Sequence, residues 1–167
     1  MQKTSMKIIA CLMLSVLATG CGWQLRGSKN TAANINALTV TSGASYGKLA
    51  RALKQQMDVQ HIAEGGSKTW HLQILDEKIK ENVVALSDTN NPATYELELQ
   101  VRFSASNENG DMVIAPNTER VVRLYEYNSN RHLAMDRETE LLREEVYDEM
   151  ATNLLHRVDF IAGQKKP

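Results

Sequence analysis

The chain has 167 residues, 19 basic and 20 acidic side chains, a formal net charge of −1 and two cysteines. A chain this near neutrality carries no general basic field for nucleic acid, so any anion site must be a local cluster. The length suits one domain with a real core, and two cysteines leave no room for a disulfide framework.

Residues 1–20 read as a lipoprotein signal. Lys3 and Lys7 supply a charged start, residues 8–18 form an apolar stretch too short to span a bilayer permanently, and Thr19 and Gly20 are small enough for a peptidase cleft. Ala18 departs from the leucine usual three places before the cysteine. Cys21 is then the expected first residue of the mature protein. Its sulfur would carry a diacylglycerol and its new amino group an acyl chain, and several chains give lasting attachment where one gives only marginal binding. By resemblance to bacterial sorting rules, Gly22 in place of Asp favours the outer membrane. Processing removes Cys11, Lys3 and Lys7, leaving 17 basic residues against 20 acidic, a net charge of −3. With Cys21 acylated, a disulfide, a thiolate zinc site and a redox pair are all excluded.

Residues 21–36 are mostly small and polar and read as a tether, ahead of a single domain over 37–162 and a short tail over 163–167. Residues 38–41 form a first strand stopped by Ser42 and Gly43. A helix follows, with Ser45 as its cap and Tyr46, Leu49, Ala50, Leu53 and Met57 on one apolar stripe. Lys48, Arg51 and Lys54 fall away from that stripe and read as a solvated face. Gly65 and Gly66 precede a second strand in which Trp70, Leu72 and Ile74 alternate with His71 and Gln73, and residues 83–86 make a separate extended stretch. The clearest strand runs from Tyr95 to Ala105, where Leu97, Leu99, Val101 and Phe103 alternate with Glu96, Glu98, Gln100 and Arg102. Asn109-Gly110 is favoured in two-residue hairpin turns, which need positive φ at both central positions. The return strand lies within residues 112–127, interrupted near Pro116, which cannot donate to a ladder. From Leu133 to about Ile161 the period becomes helical, and Leu142, Val146, Met150, Leu154 and Val158 form a broad apolar face joined by Tyr147, Ala151 and Leu155. The expected fold is α+β: two helices on one face of a four-stranded mixed sheet, in the order strand, helix, three strands, helix.

No catalytic centre is legible. His61, His71, His132 and His156 lack the helical spacing that sets two rings on one metal, Gly65-Gly66 lacks the residues that grip a nucleotide, and no serine sits in a nucleophile elbow. The acidic residues between Asp136 and Glu149 are mixed with Arg137 and Arg143 and read as a solvated helix face. Two features stand out. Arg102, Arg120 and Arg123 fall together on the wet sheet face if Asn109-Gly110 sets the register, with Arg131 and Arg137 near the same end. Such a group suits multivalent phosphate contact, and pairing with Glu96, Glu98, Glu119 and Glu126 is the competing reading. Tyr125 and Tyr127 carry amphipathic rings that fit an interface with lipid or protein, or a half-buried core.

The run Cys21-Gly22-Trp23-Gln24-Leu25-Arg26-Gly27 resembles the opening of the LPS-assembly lipoprotein LptE family. The likeness continues through Leu49-Ala50-Arg51-Ala52-Leu53, Tyr95-Glu96-Leu97, Arg123-Leu124-Tyr125-Glu126-Tyr127-Asn128 and the helix starting near Leu133-Ala134. It implies a protein without catalysis and without a cofactor beyond the lipid on Cys21. The family is held on the periplasmic side of the outer membrane inside the lumen of the β-barrel LptD, which it plugs and helps to fold, and it contacts lipopolysaccharide. Lipid A phosphates are then the anions expected at Arg123, Arg131 and Arg137, although Asp88 and Asp136 fall where cations would be sought. Tyr125 and Tyr127 become partner-interface candidates. The rival expectation is an accessory lipoprotein of another envelope machine, such as the barrel-insertion complex.

Overall fold

Leu97, Leu99, Val101, Phe103 and Ala105 are all buried, so strand β4 (Pro92–Ser106) turns one face onto a core. The computed structural model describes residues 34–43, 47–66, 68–87, 92–127 and 132–164, all within the compact unit Thr31–Pro167. The remaining elements are β1 (Ala37–Ser42), α1 (Lys48–Val59), β2 (Ala63–Glu64), β3 (Trp70–Leu86), β5 (Met112–Glu126) and α2 (His132–Gln164). The sheet order is β2-β1-β3-β4-β5, with β1 parallel to both neighbours and β3, β4 and β5 antiparallel. The α+β class and the mixed sheet agree with the sequence reading. The fifth strand, β2, is a two-residue parallel pairing too short to show a pattern.

Strand β3 corrects the expectation of two separate extended pieces: residues 70–86 form one strand. A bulge places Ile74 opposite Phe103 and Asp76 opposite Arg102, leaving Leu75 as the extra residue. Before it, the even residues Trp70, Leu72 and Ile74 are buried; after it, Glu77, Ile79 and Glu81 stand opposite the core-facing Val101, Leu99 and Leu97. One inserted residue reverses the faces of everything beyond it.

Strand β5 is likewise continuous through Pro116. Phe103 pairs with Asn117 and Ala105 with Ile114, so Ala115 and Pro116 share the place opposite Ser104. The proline sits in a bulge of an edge strand, where its missing N–H costs no ladder bond. The β4–β5 loop is wider than a two-residue turn. Asn107 Oδ1 accepts from the amides of Asn109 (3.0 Å) and Asp111 (2.9 Å), and its Nδ2 donates to Asp111 Oδ2 (3.0 Å). Gly110 has φ +86°, whereas Asn109 is not at positive φ.

Helix α1 starts at Lys48 with Gly47 in the N-cap position and no side-chain cap; the expected cap Ser45 lies outside the described residues. A carboxylate takes the cap's electrostatic place, because a Cβ on Gly47 would stand only 3.2 Å from Glu77 Oε2. At the other end His61 takes the left-handed conformation (φ 58°) and the Ile62 amide returns to the Met57 carbonyl at 2.9 Å.

Helix α2 carries the core. Val146, Met150, Ala151, Leu154, Leu155 and Val158 are fully buried against the same sheet face that meets Leu49 and Leu53 of α1. Burial of each larger side chain contributes about 1.5–3 kcal/mol relative to exposure. Although α2 has 33 residues, no helix among the described residues is long and apolar enough to cross a membrane.

Candidate functional site: an aromatic cleft at the end of the sheet

The core-facing side of the sheet changes character along β3 and β5, from apolar residues to charged residues that meet α2. Glu77 accepts from the Tyr147 hydroxyl at 2.9 Å, Glu119 pairs with Arg157 at 2.6 Å, and Arg123 pairs with Glu149. The Arg157 guanidinium also lies 5.8 Å from the centre of the Phe103 ring. Glu81 accepts from the Tyr125 hydroxyl and, at 2.6 Å, from Arg143. Burial raises the Glu81 pKa, but the Tyr125 and Arg143 contacts outweigh it and hold the carboxyl below its ordinary value of 4.5. Burial and the same carboxylate push the Tyr125 phenol well above its ordinary range.

These contacts divide the expected arginine group. Arg123 stands opposite Leu97 and so faces the helices, while Arg102 (opposite Thr118) and Arg120 (opposite Gln100) lie on the open face. On that open face Glu98 is 8% exposed, held by Arg120 Nε at 2.9 Å and Gln100 Nε2 at 2.8 Å. The pairing alternative therefore accounts for Arg120 and Arg123, the latter with a helix carboxylate absent from the expected set. Arg137 is exposed in the second turn of α2, and Arg131 lies outside the described residues, as do Asp88 and Cys21.

Tyr125 and Tyr127 come together with a third ring. Tyr95 stands opposite Tyr125 and stacks on it (centroids 5.5 Å, interplanar angle 17°), and Tyr127 meets Tyr95 edge-on (5.7 Å, 71°). The rings wall a cleft of about 350 Å³, completed by Glu81 from β3 and by Asp136, Thr139, Glu140 and Arg143 from α2. Glu140 pairs with Lys48 of α1, which lowers its pKa. Arg143 Nε is a buried donor without a partner among the described residues. The sequence reading missed Tyr95, Glu81, Asp136 and Arg143 as members of this site. Tyr95 was recoverable, because it shares the parity of Leu97 and heads the same strand. Glu81 was not, because the Leu75 bulge decides its face.

The described residues contain no group of three histidine, cysteine or acidic side chains suited to a metal ion. A family model for LptE, described as lipopolysaccharide-assembly, matches residues 35–158, from just before β1 to the last turns of α2. The chain belongs to the LptE family. A protein named LPS-assembly lipoprotein LptE from Photorhabdus laumondii is 29% identical over 165 residues, covering 96% of this chain and 90% of that one. Its counterpart in Pectobacterium atrosepticum is 27% identical, over 93% and 86%. Among solved structures, rare lipoprotein B of Shewanella oneidensis has a TM-score of 0.63 at 24% identity, over 74% of this chain and 93% of that one. A lipoprotein B of Nitrosomonas europaea has a TM-score of 0.66 at 16% identity, over 83% and 90%. At these identities the likeness concerns the LptE-like fold alone.

Proposed function

We propose that this LptE-family chain is an outer-membrane lipoprotein that acts without catalysis in lipopolysaccharide assembly. The lipid on Cys21 holds it to the periplasmic side, and the domain docks within an LptD-type β-barrel, which it plugs and helps to fold. The observation that carries the reading is the family match over residues 35–158, spanning every sheet strand and most of α2. Direct lipopolysaccharide contact is part of the proposal, through phosphate groups at Arg131 and Arg137. The guanidinium of Arg123, the third expected contact, is already engaged by Glu149.

Affinity capture of the native lipoprotein from detergent-solubilised outer membranes is the decisive experiment. A large β-barrel protein and lipopolysaccharide are expected together in the eluate. Recovery of the barrel-insertion machinery in their place would overturn the reading. Replacing Arg137 should weaken lipopolysaccharide binding and leave thermal unfolding unchanged, since an exposed charge contributes little to stability. Unchanged binding would move the phosphate contact elsewhere.

A further inference from the structure

We propose that the tyrosine-walled cleft receives an arginine side chain presented by a protein partner. The inference rests on the reading that the domain docks against another protein, and it names the chemistry of one contact.

Three rings converge from β4, β5 and the residue that follows β5, and their placement is set before any partner arrives: Tyr95 and Tyr125 stack, and the Tyr125 hydroxyl is held by Glu81. Aromatic faces attract cations through the ring quadrupole. The charge of the lining has the same preference, because Asp136 is its one carboxylate that no described cation pairs. Glu81 is occupied by Tyr125 and Arg143, and Glu140 by Lys48. Asp136 is exposed, on the cleft wall, and has no hydrogen bond or ion pair among the described residues. A phosphate or an acidic sugar would be repelled here. A neutral sugar would stack on the rings without using the charge. A guanidinium uses both, because its flat face lies on a ring while its N–H fork reaches a carboxylate, and it loses less hydration than an ammonium on entering.

The test titrates the purified full-length protein with N-acetyl-arginine amide and follows the tyrosine ring resonances by NMR. Saturable shifts of the Tyr95 and Tyr127 rings are expected, and none with the citrulline analogue, which keeps the shape and lacks the charge. Asp136→Asn should weaken binding about two- to fivefold, the upper range of an exposed ion pair. Glu138→Gln, which removes an equal charge outside the cleft, should not. Equal shifts with citrulline, equal shifts with methyl glucoside, no shifts, or indifference to Asp136→Asn would each overturn the proposal. Barrel capture provides a second arm. If the native protein and the Asp136→Asn variant capture the barrel equally, the cleft has no part in docking and the docking reading survives. If the native protein captures no partner, the docking reading fails and takes this proposal with it, whatever the titration shows.

Discussion

Leu154 is fully buried on α2, among Met150, Ala151 and Val158, so truncating it removes transfer energy and leaves a cavity that a close-packed core cannot fill. Leu154→Ala should cost about 2–5 kcal/mol in denaturant unfolding. Glu145→Ala, one exposed residue on the same helix, should change stability by less than about half a kilocalorie. Equal losses would mean that the core-facing side of α2 has been misassigned. Glu81 poses a different question at the same scale, because its folded pKa lies below its ordinary value. Its stabilising contribution is therefore complete above pH 4.5 and disappears as the pH falls through the lower, folded value. Thermal unfolding of Glu81→Gln should show a lower Tm than the native protein at pH 7 and should converge with it in acid. Parallel curves across that window would show that the Tyr125 and Arg143 contacts do not set its titration.

At the scale of elements, what the sequence disclosed depended on whether a period ran unbroken. Strand β4 keeps strict alternation from Tyr95 to Ala105 and was legible, as was the apolar face of α2. Strand β3 was legible only up to Ile74, because the bulge at Leu75 shifts its parity and places Glu77, Ile79 and Glu81 on the core-facing side, where an uninterrupted strand would put Asp76, Lys78 and Lys80. The arginines went astray for a related reason. A two-residue Asn109-Gly110 turn would set Arg123 opposite Glu96 on the open face, whereas the wider loop built on Asn107 and two bulges, at Val113 and at Ala115-Pro116, set it opposite Leu97. One step of register exchanges the faces of a strand. The entry to β1 was likewise invisible, because its partner is distant in sequence. Asp159 Oδ1 accepts from the amides of Asn34 (2.7 Å) and Ile35 (3.3 Å), and Oδ2 accepts from Asn34 Nδ2 (3.2 Å). Hydrogen bonds to a charged group contribute about 1.5–3 kcal/mol each at most, so Asp159→Ala should cost about 2 kcal/mol and expose the Asn34 and Ile35 amides to exchange. Gly163→Ala should loosen the same junction, since a Cβ there would come within 2.8 Å of Asn34 Nδ2. Native exchange rates in both variants would show that this clamp does not hold the strand.

For the whole molecule, the question is whether anchorage and folding are separable. Among the described residues the core closes between residues 35 and 162, with Ile35 and Ala162 among its buried members. Of the tether expected over residues 21–36, the stretch before Asn34 would reach at most about 45 Å if fully extended, at 3.3–3.6 Å per residue. On the proposed reading, the anchor holds the domain near the membrane face and docking against the barrel sets its orientation. Cys21→Ser should therefore release a soluble domain with the native Tm, and the wild-type amino terminus should carry an acylated cysteine by mass spectrometry. The released domain should still capture the barrel in detergent, where the membrane no longer concentrates the two partners, and should do so poorly in cells, where the anchor raises their effective concentration. A free Cys21 thiol in the native protein would end the anchoring hypothesis. Equal capture with and without the lipid in cells would show that docking alone localises the domain and that the tether serves only its delivery.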